Sequence, residues 1–163
     1  MKPGVIKVAD RDGVFVIKMQ GDVRLTLSLT FDKFIDDMFL SDNFCSVIFD
    51  LSEACAIDST TLGLMAKISL KGRAKQFMDP IVVAASPSIT RLLESMGFGE
   101  ILQIVQSVDT HNAEFQTLNT AEDDLDEGEI KVKVLEAHKA LVALNAKNQE
   151  TFKELIQSLE AAN

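Results

Sequence analysis

Three hydroxyl residues in a row, Ser59, Thr60 and Thr61, follow Asp58 and precede Leu62 and Gly63. They stand between an apolar run, Val47-Ile48-Phe49-Asp50-Leu51, and a helically spaced stripe of Leu62, Met65, Ala66, Ser69, Leu70, Ala74 and Phe77. A hydroxyl at the start of a helix suits phosphorylation, because the first backbone amides have no intrahelical partners and lie at the positive end of the helix dipole. A charge of about −2 could be added there and removed again without unfolding the domain. Asp, Ser and Thr are also ordinary helix caps, so the cluster by itself supports two readings, a cap and a modifiable hydroxyl.

Other chemistries find less in the chain. The glycines stand in no phosphate-loop or dinucleotide spacing, and Asp58-Ser59 lacks a Gly-x-Ser-x-Gly elbow. Asp10 and Asp12 fall in a turn, not in the paired acidic position of a response regulator. His111 and His138 are far apart, with no second His or Cys within a turn of either, so no metal site is expected. Cys45 and Cys55 flank the central apolar run and read as structural thiols packed like small hydrophobes. The expectation is a protein that is not an enzyme and needs no cofactor of its own.

At 163 residues and 47% hydrophobic composition, one proper core can form, with an appendage beside it. A net charge of −9 argues against nucleic-acid or anionic-membrane partners, which require a basic footprint. Trp and Tyr are absent, which leaves Phe as core filler. No charged-then-apolar leader and no apolar stretch of about 18 residues stands out, so a cytoplasmic protein is expected.

Val5 to Val8 and Val14 to Met19 read as a hairpin around Asp12-Gly13. Phe31, Phe34, Ile35, Met38 and Phe39 recur at helical spacing, with Asp32, Lys33, Asp36 and Asp37 opposite. Val47 to Leu51 reads as a central strand covered on both faces. After the hydroxyl cluster and its helix come a strand, Ile81 to Ala85, and a helix opened by Ser86-Pro87 and closed at Gly97. A last strand runs from Ile101 to Val105. This order predicts an α/β domain over 1–108, with helices packed on a mixed sheet. Residues 109–128, with Glu122-Asp123-Asp124-Leu125-Asp126-Glu127 at their core, read as an acidic linker. Residues 129–163 form an amphipathic helical extension, one long helix or a hairpin, with Ile130, Val134, Ala137, Leu141, Leu144, Phe152, Leu155 and Leu159 as its stripe. Asn145 and Asn148 interrupt that stripe. The extension could dock on its own domain, form a homodimer or bind another protein.

Over residues 5 to 106 the chain resembles the STAS family, the bacterial anti-sigma factor antagonists. The resemblance rests on Asp58-Ser59-Thr60-Thr61-Leu62-Gly63, on the strand from Ile81, and on Ile89 to Phe98 ending in Met96-Gly97-Phe98. It implies a STAS-like mixed sheet and tips the hydroxyl cluster toward modification. By the same resemblance Ser59 is the phosphorylated residue, Asp58 shapes the loop and touches the kinase, Thr60 is the second hydroxyl, and Leu62-Gly63 seat the helix against the sheet. Thr61 stands where the family has glycine, adding bulk and a competing acceptor.

The function this implies is a phosphorylation-controlled partner switch in which the unphosphorylated protein binds an anti-sigma factor or similar output protein and relieves its inhibition. A serine kinase of GHKL type would add the phosphate and a metal-dependent Ser/Thr phosphatase would remove it, so ATP and magnesium belong to the partners. Contact is expected through the loop and the outward side of its helix, where Leu64 and Ile68 lie among Lys67, Lys71 and Lys75. The alternative is an unswitched STAS scaffold or ligand-sensing module in which Ser59 is only a cap.

Overall fold

The computed structural model describes residues 2–84, 86–106, 114–118 and 126–161. β1 (Val5–Arg11) and β2 (Val14–Val23) form the expected hairpin, its turn closed by Asp12 at φ 54° and Gly13 at φ 92°. α1 (Leu25–Leu40) buries Phe31, Ile35, Met38 and Phe39 and leads to β3 (Ser46–Ile57). α2 (Ser59–Ala74), β4 (Ile81–Ala84), α3 (Pro87–Ser95) and β5 (Gln103–Val105) follow. Ser86 caps α3, its Oγ accepting the Ile89 amide at 3.2 Å, and Gly97 turns the chain out of α3 at φ 87°.

Six strands lie in the order β5-β4-β3-β2-β1-β6. β2 to β5 pair in parallel with their neighbours, and β1 is antiparallel to both β2 and β6 (Gln116–Leu118). β6 lies within the segment read as an acidic linker. A three-residue polar strand has too little apolar periodicity to announce itself, and it forms because β1 offers a free edge. Ala85, the 109–113 stretch with His111, and most of the acidic run (119–125) fall outside the described residues.

Alternation decides which side of the sheet is core. Phe15, Ile17 and Met19 of β2 and Val47, Phe49 and Leu51 of β3 join one hydrophobic cluster with Phe31, Ile35, Leu62, Met65 and Phe98. Between them, Ile48 is only half-buried, and Asp50 stands opposite Lys18 in the register. The second face of β3 is largely buried along Val47 to Leu51, with Asp50 6% exposed, but it is less apolar than the run suggested. That face carries polar pairs such as Lys18 with Glu53 at 2.6 Å. Cys45 and Cys55 are both exposed, not packed as small hydrophobes. Phe44, missing from the predicted stripes, stacks on Phe15 and meets Phe39 and Phe77, tying β2 to the ends of α1 and α2.

The C-terminal extension is a hairpin of two helices, α4 (Glu127–Val142) and α5 (Ala146–Ala161). It docks on its own domain, α4 lying along α2. Asp126 caps α4 by accepting the Glu129 amide at 2.8 Å. Ala137, Leu141 and Phe152 are buried, whereas Leu155 is 40% exposed. The two asparagines that break the stripe have separate structural duties. Asn145 Oδ1 accepts the Asn148 amide at 2.8 Å at the start of α5. Asn148, 1% exposed, donates through Nδ2 to the carbonyls of Met96 and Leu141, each at 2.8 Å. It thus fastens the hairpin turn to the end of α3.

Replacing Asn148 with alanine strips both carbonyls of a buried donor, and a loss of about 1–3 kcal/mol is expected. A lowered urea midpoint at unchanged slope checks it.

Candidate functional site

α2 starts where the parallel strand β3 ends, so its N-terminus rises at the carboxyl edge of the sheet. Asp58 is the N-cap. Its Oδ1 accepts the Thr61 amide at 2.9 Å and the Thr61 hydroxyl at 2.8 Å. Thr61 is fully buried and Thr60 is 7% exposed. The hydroxyl of Thr61 is thus committed to the cap, which argues against Thr61 as a competing acceptor. Ser59, the first helical residue, is half-buried and is the most accessible of the three.

The hydroxyl of Ser59 has a partner from far along the chain. Its Oγ lies 2.8 Å from Nε2 of His138 in α4. His138 Nδ1 lies 2.7 Å from the Val134 carbonyl, and a carbonyl can only accept, so Nδ1 carries the proton of that bond. With Nδ1 protonated, a neutral ring leaves Nε2 bare to accept the Ser59 hydroxyl. His138 is 2% exposed, and Phe152 of α5 packs edge-on against its ring at 5.2 Å between centroids. Both helices of the extension therefore back this one contact.

Gly63 sets how close α4 comes. A Cβ at Gly63 would lie 2.2 Å from the Ala137 carbonyl oxygen and 2.8 Å from the Ala137 Cβ. The missing side chain serves the approach of α4, where the resemblance implied a seat against the sheet. Leu62, Leu64 and Ile68 are 1%, 2% and 1% exposed and belong to the core. Leu64 and Ile68 are accordingly not on an outward face. The stripe rule failed here because α2 is covered on more than one side, so its buried residues run almost continuously from Thr60 to Ser69.

The lysines of α2 turn toward α1. Lys67 donates to Asp32 at 2.9 Å, Lys71 lies 3.4 Å from Asp36, and Lys75 sits over the Phe39 ring. Asp32 was assigned to the polar side of α1 but is 2% exposed, because Lys133 of α4 also donates to it. Burial by itself would raise the Asp32 carboxyl, yet the hydrogen bonds from Lys133 and Lys67 outweigh it and hold the group below its usual range. Burial likewise opposes the charge of Lys67, and Asp32 overcomes it, raising that lysine. One carboxylate thus joins α1, α2 and α4.

Sequence reasoning missed His138, Asp32 and Lys133. The available signal was helical spacing: His138 follows Val134 by one turn and precedes Leu141 by three residues, within the apolar stripe.

Residues 5–111 match the model of the STAS domain. The chain belongs to the STAS-domain family. Its fold is similar to that of the Thermotoga maritima protein TM1081, a candidate anti-sigma factor antagonist. A crystal structure of that protein matches at a TM-score of 0.55 and 20% identity over 62% of this chain and 86% of the other. An NMR structure of TM1081 matches with the same score and identity over 61% and 79%. Among curated proteins no match is found. The STAS match ends at 111, so α4 and α5 lie outside it. No helix among the described residues is long and apolar enough to cross a membrane.

The Asp32 cluster gives a pH test with a definite sign. A carboxyl lowered on folding contributes stability that is complete above its unfolded value of about 3.9 and is lost as pH falls through the lower folded value. Asp32→Asn should cost about 1–3 kcal/mol near neutrality, discounted because the two lysine side chains remain 25% and 27% exposed. The gap between the two proteins should be level at neutral pH and shrink below about pH 4, as measured by urea unfolding across that range.

Proposed function

We propose that this STAS protein is a partner switch whose unphosphorylated form binds an anti-sigma factor or similar output protein, and that phosphate on Ser59 abolishes the binding. The observation that carries the reading is the position of Ser59 at the first turn of α2. It is half-buried, while Asp58 holds the cap and the neighbouring threonines are buried. A kinase of GHKL type would move the γ-phosphoryl group of ATP to Oγ, forming the O–P bond and releasing ADP and the hydroxyl proton. A metal-dependent phosphatase would hydrolyse that bond. Turnover belongs to those partners; the STAS chain itself supplies only the acceptor, in a cytoplasmic setting. A buried unpaired charge in an interface costs several kcal/mol, and each 1.4 kcal/mol is about tenfold in affinity, so one phosphate suffices to switch binding off.

The unswitched scaffold is a second reading, favoured by one observation: the Ser59 hydroxyl is already satisfied by His138. Affinity capture with Ser59→Ala and Ser59→Asp baits, together with mass spectrometry of Ser59 from growing cells, separates the two. Under the switch, Ser59 is found phosphorylated in some condition. The Asp bait then loses the output protein by about 100-fold or more relative to the Ala bait. Identical partners on both baits and an unmodified Ser59 would establish the scaffold.

A further inference from the structure

The face of α2 that carries Ser59 is already occupied. α4 covers its first two turns, with Ala137 against Gly63 and His138 against Ser59, and Asn148 and Phe152 of α5 brace α4 from behind. We propose that the α4–α5 hairpin is an internal occupant of this face, and that its docking and phosphorylation of Ser59 exclude one another. The inference rests on the reading of Ser59 as phosphoacceptor and adds to it a regulator carried in the same chain.

The argument is one of space and donors. In the docked state the Ser59 hydroxyl proton forms a hydrogen bond to Nε2 of a neutral His138, 2.8 Å away. A phosphoryl group replaces that proton with phosphorus and three oxygens. The donor is lost, and the added atoms compete for the space His138 occupies in front of Oγ, with α4 held close to α2 at Gly63. His138 is itself buried, and its other nitrogen is committed to the Val134 carbonyl. Lys67 and Lys133, cations of the same two helices, are engaged by Asp32, while Asp58 next to Ser59 adds a like charge. The positive end of the α2 dipole still favours the phosphate, although Asp58 already takes the Thr61 amide. The added group is therefore acceptable to the STAS domain and unacceptable to the hairpin. Two states that exclude each other are linked reciprocally: whatever lifts the hairpin exposes Ser59, and phosphate on Ser59 keeps the hairpin off. A protein that docks on the same face must likewise displace α4, so the hairpin lowers the apparent affinity of that partner by the fraction of time it is docked.

The test uses the full chain with phosphoserine placed at 59 by genetic-code expansion, and needs no kinase. Hydrogen exchange is followed in peptides of α4 and α5 and, as an internal reference, in β2 and β3. Exchange in the hairpin should accelerate by about tenfold or more while β2 and β3 keep their protection. Ala137→Leu, a wedge on the hairpin side of the Gly63 contact, should produce the same opening without phosphate and also accelerate exchange in the first turns of α2. The inference is overturned if the phosphoserine chain keeps or gains hairpin protection, as it would were His138 to clamp the phosphate. Protection lost equally in β2 and β3, or a wedge variant with a fully protected hairpin, would also overturn it. None of these outcomes depends on whether cells phosphorylate Ser59, so the two readings fail separately.

Discussion

The approach of α4 to α2 at Gly63 is the constraint on which the rest of this molecule depends. Helix axes pack about 8–10 Å apart depending on the side chains between them, and a glycine opposite an alanine permits the close end of that range. Closeness has two consequences here. It brings a histidine ring within hydrogen-bond reach of a serine 79 residues earlier in the chain. It also covers α2 at Gly63, where a side chain would meet the Ala137 carbonyl.

Charge reinforces the same contact from its flank. Asp32 sits on α1, nearly inaccessible, and would be costly there without partners. Lys67 from α2 and Lys133 from α4 provide them. The cluster pairs one anion with two cations whose stems and heads remain partly wet, so its desolvation cost is shared with solvent in a way that a fully buried pair could not match. It also makes α4 specific in register: a shift of one turn along α2 would leave Asp32 short of a donor and His138 away from Ser59.

Much of the STAS domain was legible because its elements obey single-face rules. The β1–β2 hairpin announced itself through Asp12-Gly13, α3 through Ser86-Pro87 and Gly97, and α1 through its Phe stripe. What was not legible depended on a second layer. Leu64 and Ile68 read as an outward face because a one-sided stripe describes α2 poorly: they lie in the core, while Gly63 and Ser59 on another side of the helix meet the hairpin. Asp32 read as solvated for the same reason. β6 was hidden in polar sequence because edge pairing needs backbone groups more than side chains. Spacing placed His138 on the apolar stripe of its helix, but its partner was hidden, since a contact spanning from 59 to 138 leaves no local trace. Asn145 and Asn148 were the one visible hint that the extension folds back, as a cap and a buried amide suit a turn and disfavour a continuous seam.

The hairpin and the STAS sheet are held by different kinds of contact, and this bears on how the molecule can respond. The sheet is tied by ladders of backbone hydrogen bonds and a continuous apolar core, so it opens only with the domain. Among the described residues the hairpin has no backbone ladder to the sheet: it joins the same apolar cluster through Ala137, Leu141 and Phe152, with Ala140, Val142, Leu144 and Ile156 partly buried against it, and adds His138, Lys133 and Asn148 as polar contacts. α5 buries only Asn148 and Phe152 among its described residues. Each polar contact contributes about 1 kcal/mol net and costs more when half of it is left unpaired. The release proposed above follows from such a set of contacts, because the loss at one is compounded by the donors and acceptors it strands. Among the polar contacts, the bond from His138 reaches Ser59, the most accessible hydroxyl of its cluster and the phosphoacceptor proposed above. The contact that ties the hairpin to the start of α2 thus coincides with the residue proposed to be modified.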